Sequence, residues 1–211
     1  YLYEFFYDNC ATKIKDVTNL TLNNAIQYHK PQDFKDASFR TLIHNNLNKN
    51  SWGSLGIDLA LGSVIDKQAT AEEHMFLPEN IYKFFAVATK GQNDTFLVKQ
   101  SQTLYTKKKK AKPNSFLTSP LSILGSIGFL IIFITYKDYK QNKQSRWLDI
   151  TLFAITGAIG ILLLLLWFAT DHKGTHQNYN LRWAFALNLF VIGQFFNIKV
   201  STWFIKYIKL L

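Results

Sequence analysis

The chain holds one cysteine, Cys10, in the run Tyr7-Asp8-Asn9-Cys10-Ala11-Thr12. A single thiol cannot close an internal disulfide, and a multi-cysteine zinc site is excluded with it. Two readings stay open: a small buried side chain at a junction, or a nucleophile. Asp8 and Asn9 are capping residue types, which predicts a helix from Cys10 to about Tyr28 with the thiol in its first turn. The unpaired N–H groups of a first helical turn set up a positive potential that favours a thiolate in general. Lys13 and Lys15 lie one turn on and would add to it. Such a nucleophile needs a base, most often histidine. The polar half offers His29, His44 and His74; each reads as a surface histidine, and His74, after Glu72-Glu73, is the weak base candidate.

A second constellation lies near the C-terminus, Thr170-Asp171-His172-Lys173-Gly174-Thr175-His176-Gln177-Asn178-Tyr179-Asn180-Leu181-Arg182-Trp183. A loop between two apolar helices has to be polar, so a solvated connection is the plain reading. At a membrane interface, however, Asp171, His172, Asn178, Asn180 and Trp183 also suit binding of a lipid headgroup or positioning of a carbonyl. No metal site and no cofactor are expected.

The elements that position these residues fall into two halves. In the first, Tyr1 to Tyr7 is aromatic and strand-like, and Ser38 caps a helix from Phe39 to about Asn48 with Leu42, Ile43 and Leu47 inward. Trp52 to Leu61 is a short glycine-containing element, Pro78 restarts a helix after about Thr70, and Phe96-Leu97-Val98 is a strand. These make a domain over 1–105, joined by a basic linker at 106–115 to membrane helices at about 116–136, 147–170 and 181–198. The stretch from 200 is either an interfacial helix or part of a fourth span. Ser119 and Pro120 open the first span, and Ile161 to Leu166 is unbroken apolar sequence.

A net charge of +10 over 211 residues raises the question of a nucleic-acid partner. Its distribution answers it. Residues 1–114 carry fifteen Lys and Arg against eleven Asp and Glu, and five of the fifteen are Lys107 to Lys110 and Lys112. The rest of that half is close to neutral, so no nucleic-acid partner is expected and the basicity reads as membrane-surface chemistry. The mean hydropathy of −0.03 averages a polar half with an apolar one. Lys137, Lys140, Lys143 and Arg146 mark the cytoplasmic side, which puts the Cys10 domain and the 170–180 loop outside; the lysine run at 107–112 opposes this and is read as a strip docking on an anionic surface.

Four runs, taken together and in order, resemble the bacterial Lnb-type lipoprotein N-acyltransferases: Tyr7 to Asp16, Trp52 with Gly56-Ile57-Asp58-Leu59, Glu73 to Pro78, and Thr170-Asp171-His172 with Asn178 to Trp183. The resemblance implies an α+β fold. Its parts would be the C-terminal portion of a permuted papain-like (NlpC/P60-like) thiol domain, periplasmic on the bacterial inner membrane, and an α-helical transmembrane bundle of three or more helices. It implies Cys10 as nucleophile with Asn9 before it, the general-base histidine on a strand upstream of Tyr1, and hence a chain that is a fragment or a degenerate relative. It further implies transfer of an acyl chain from a phospholipid, through a Cys10 thioester, to the N-terminal amine of a lipoprotein. Two alternatives remain beside it: an envelope cysteine peptidase or amidase, and a non-catalytic subunit of an envelope protein complex.

Overall fold

The computed structural model describes residues 3–91, 94–106, 116–197 and 200–210, so most of the expected linker and its lysine run lie outside the described residues. The chain divides into two units, Tyr1–Asn46 with Ile65–Pro113, and Leu47–Val64 with Asn114–Leu211.

In the first unit the aromatic start is a tight turn rather than a strand. Glu4 and Asp8 exchange backbone hydrogen bonds of 3.1 and 2.9 Å, and the Glu4 carboxylate accepts from the N–H groups of Phe6 and Tyr7 at 3.2 and 2.8 Å. A carboxylate able to collect those donors closes the chain on itself, which an aromatic run alone does not predict. The turn drives Phe6 inward against Phe39 and Phe76, with ring centroids 4.9 and 5.4 Å away. Helix α1 spans Cys10–Thr21. It stops short of Tyr28 because Asn23 and Asn24 adopt left-handed conformations, φ 52° and 57°, which asparagine tolerates better than most residues. The chain then enters β1, Ile26–Gln27.

Helix α2, Phe39–Asn46, buries Phe39, Leu42 and Ile43, while Leu47, expected inward, stays 36% exposed. A 3-10 turn at Glu73–Phe76 precedes α4, Pro78–Val87, with the proline in the first helical turn, where its missing N–H costs nothing. Strands β2, Thr89–Lys90, and β3, Thr95–Phe96, complete a small antiparallel sheet in the order β1-β2-β3. Ala11, Met75, Ile81 and Phe84 form the core under α1 and α4.

The second unit includes α3, Trp52–Ala60, capped by Ser51. Helix α5, Pro120–Gln141, is capped by Ser119 and ends on Asn142 at φ 50°; α6 spans Arg146–Phe168. Both are long and apolar enough to cross a bilayer, and only 6% and 17% of their apolar windows are buried. Side chains such as Phe129, Ile132 and Phe168, 71%, 69% and 73% exposed, are the surface a helix presents to lipid.

The expected third span is not one helix. Over 181–198 the chain forms a 3-10 turn at Tyr179–Arg182, α7 at Asn188–Val191 and a 3-10 turn at Ile192–Phe196. The physical reason lies on α6. A Cβ at Gly160 would sit 2.3 Å from the Ala184 carbonyl oxygen, and one at Gly157 would sit 2.5 Å from the Leu189 nitrogen. At both glycines backbone therefore lies directly on backbone, which a side chain at either position would prevent. Non-helical backbone is stable in such surroundings only when its polar groups find partners inside the protein. Some of those partners are local, the N–H groups of Ala184, Asn188 and Leu189 donating to the carbonyls of Asn180, Phe185 and Ala186 at 2.9, 2.9 and 3.3 Å; separately, the Asn188 side-chain amide donates to Thr156 Oγ1 at 2.9 Å and accepts from the Tyr207 hydroxyl at 2.5 Å. The last helix, α8, spans Thr202–Leu210 and packs Phe204 against Val191 and Phe195.

Candidate functional site

Cys10 is the first residue of α1 and is exposed, while its neighbours Asn9, Ala11 and Thr12 are buried. Asn9 fixes this arrangement. Its Oδ1 accepts from the N–H groups of Ala11 and Thr12 at 2.8 and 2.9 Å, and its Nδ2 donates to the carbonyls of Phe5 and Phe76 at 2.8 and 2.9 Å. The Asn9 N–H in turn donates to Thr12 Oγ1 at 2.8 Å, closing a reciprocal capping box. Each hydrogen-bonding position of the Asn9 amide is therefore occupied by backbone. One side chain ties the start of α1 to the aromatic turn before it and to the 3-10 turn at Glu73–Phe76, and so sets where the thiol stands.

The lysines expected to add positive potential are each offset. Lys13 pairs with Asp8 at 2.6 Å and Lys15 with Glu72 at 3.4 Å. The positive end of α1 is thus backbone alone.

His74 departs from the surface histidine that its acidic neighbours suggested. It is 2% exposed, its Nδ1 lies 2.7 Å from the Thr70 carbonyl oxygen, and its ring stands 4.8 Å from that of Phe34. Nδ1 donates to that carbonyl, while Nε2 is buried and has no hydrogen-bond partner among the described residues. The apolar neighbours Met75 and Phe76 pull the 3-10 turn into the core and take His74 with them. His29 Nε2 lies 2.9 Å from Thr89 Oγ1. No histidine among the described residues is hydrogen-bonded to Cys10.

The loop after α6 contains the remaining candidates. Asn178 is 1% exposed; its Nδ2 donates to the carbonyls of Leu59 and Ala60 at 2.8 and 3.1 Å, and its Oδ1 accepts from the Asn180 N–H. Asn180 Nδ2 donates to the carbonyls of Asp58 and Leu59 at 3.3 and 3.2 Å. These amides satisfy the last carbonyls of α3, the task a helix C-terminus always leaves open. Gly62 N–H donates to the Gly174 carbonyl at 2.9 Å, and a Cβ on Gly62 would fall 1.6 Å from the His176 carbonyl oxygen.

Helix α3 is also tied to the start of α5, through Trp52 Nε1 donating to the Thr118 carbonyl and Leu121 N–H donating to Asn50 Oδ1, at 3.0 and 3.2 Å. Asp171, His172 and Trp183 are exposed on the same loop, and Trp183 Nε1 donates to Asn180 Oδ1 at 3.1 Å. The cluster of buried Asn188 with half-buried Thr156 and Tyr207 had no sequence signal beyond a polar residue inside an apolar stretch.

Among the described residues no group of three or more His, Cys, Asp or Glu could hold a metal ion. Residues 111–211 match the family described as the Lnb transmembrane domain. No curated protein and no solved structure matches the chain.

Proposed function

We propose, from the membership of residues 111–211 in the Lnb transmembrane-domain family, that this membrane protein is a cysteine acyltransferase acting on lipoproteins. The observation that carries the reading is the exposed Cys10 thiol, held at the start of α1 by the buried amide of Asn9. On the same face, one and two turns along, Ile14 and Val17 are 53% and 59% exposed. An apolar strip beginning at a thiol suits a substrate made of hydrocarbon chain and ester.

In the proposed reaction the Cys10 sulfur attacks an acyl-ester carbonyl of a phospholipid. The C–O bond breaks, the lysophospholipid leaves as an alcohol carrying the proton, and a thioester remains on the protein. The α-amine of a diacylglyceryl-cysteine lipoprotein then attacks the thioester. An amide forms, the C–S bond breaks, and the thiol is regenerated. Asn9 serves as a positioning residue. Proton removal from the thiol is assigned to a group other than His74, whose ring is sealed in the core. Asp171, His172 and Trp183 are assigned to the lipid-facing loop, while Asn178 and Asn180 hold that loop to α3. We further assign the Cys10 region, as a permuted papain-like domain over 1–105, to the periplasmic side of the inner membrane.

The test is replacement of Cys10 by serine in the full-length protein, with lipoprotein N-acylation followed by mass spectrometry of lipoprotein N-termini. Loss of the N-acyl chain is expected. Unchanged N-acylation would contradict the proposal, and a wild-type protein that releases peptides, and loses that release in Cys10→Ser, would identify a peptidase.

A further inference from the structure

A groove of about 480 Å³ lies in the second unit, walled by Trp167 of the last turn of α6, by Tyr179 and Phe185, and by Leu210 at the end of α8. Its cation is Arg182. The guanidinium carbon stands 5.1 Å from the centre of the Tyr179 ring, and among the described residues no carboxylate lies within ion-pair distance of it. Arg182 is exposed. The groove thus has aromatic and aliphatic walls and one planar cation oriented by an aromatic face.

Its place on the chain limits what can fill it. Helix α6 has the length and composition of a membrane span, and Trp167 belongs to its last turn, the depth at which tryptophan anchors a helix to the headgroup layer. The natural occupant of such a groove is amphiphilic, with hydrocarbon along Trp167, Phe185 and Leu210 and an anion at Arg182. A guanidinium fork matches two oxygens of one phosphate, which a single ammonium does not. We propose that this groove is a binding site for a glycerophospholipid, with its phosphodiester on Arg182 and an acyl chain against Trp167 and Phe185. The proposal stands on the groove alone and does not require chemistry at Cys10.

The experiment uses the whole chain in detergent micelles with phosphatidylglycerol bearing a photoreactive diazirine on one acyl chain, and maps the labelled peptides. Labelling is expected on the peptides containing Trp167 and Phe185, reduced at least about fivefold in Arg182→Gln and partly retained in Arg182→Lys, where charge survives without the fork. A second variant, Leu210→Glu, places a carboxylate at a residue 79% exposed, so the fold is not strained; it should also lose label. Equal labelling of wild type and both Arg182→Gln and Leu210→Glu would overturn the proposal. Equal labelling by a diazirine diacylglycerol, which lacks the phosphate, or by a diazirine fatty acid would overturn it as well. Because Cys10→Ser should label like wild type, failure here is distinguishable from failure of the acyl-transfer reading.

Discussion

At the scale of single residues, the thiol's position depends on an amide that does no chemistry of its own. Asn9→Ala removes two accepted and two donated hydrogen bonds at a residue 7% exposed. Loss of a cap alone costs about 1 kcal/mol, and stranded buried carbonyls raise that to roughly 2–4 kcal/mol. Chemical denaturation of the full chain should show the loss, whereas Cys10→Ser, at an exposed position, should leave stability within about 0.5 kcal/mol of wild type.

Tyr28 gives a pH prediction. Burial pushes its phenol up to about 12, with the charges of Glu72 and Asp16 adding, and its hydroxyl donates to Asn19 Oδ1 at 3.0 Å. A folded-state pKa above the unfolded one means the contribution is complete below pH 10 and is lost as pH rises through about 12. Melting temperature followed across that window should fall, and Tyr28→Phe should flatten the fall. Cys10, Asn9 and the capping geometry were legible in sequence because cap residues act within one helical turn. The burial of His74 was not, because it depends on Phe34, forty residues away, and on a 3-10 turn drawn inward by Met75 and Phe76.

At the scale of elements, sequence pattern served well where one helix decides its own fate. Ser119-Pro120 opened α5 and the leucine run lay inside α6, since capping and unbroken apolarity are local properties. It served badly over 181–198, where hydropathy is spanning-grade but α6 dictates the shape. Two glycines there admit backbone at contact distance, and no window of the third stretch carries that information. Gly160→Ala should therefore cost about 1–3 kcal/mol, because its Cβ would meet the Ala184 carbonyl and the Ala186 nitrogen at 2.3 and 2.6 Å. Gly193→Ala, with open space around it, should have little effect on contacts. Thermal unfolding in detergent separates the two. Asn178→Ala should likewise destabilise, by about 1–3 kcal/mol, since it leaves the Leu59 and Ala60 carbonyls without their donor. The asparagines read as ligand-binding candidates are, in the fold, caps on α3, an element too far away in sequence for the pairing to be foreseen.

At the scale of the whole molecule, the division between a polar first half and an apolar second was visible in hydropathy and charge. The inclusion of Leu47–Val64 in the second unit was not. Trp52 and Asn50 reach α5, and the end of α3 is capped from the loop after α6, so sequence order and spatial order part there. The Lnb transmembrane-domain match over residues 111–211 assigns the second half to a membrane family, and the claim that joins it to the first half is that Cys10 carries an acyl chain during turnover. Intact mass spectrometry of the full-length protein, purified after exposure to phospholipid without lipoprotein acceptor, tests this directly. The account predicts a mass increase of one acyl chain that is removed by neutral hydroxylamine and absent from Cys10→Ser. An unmodified Cys10 in a protein that nevertheless N-acylates lipoprotein when the acceptor is added would contradict it.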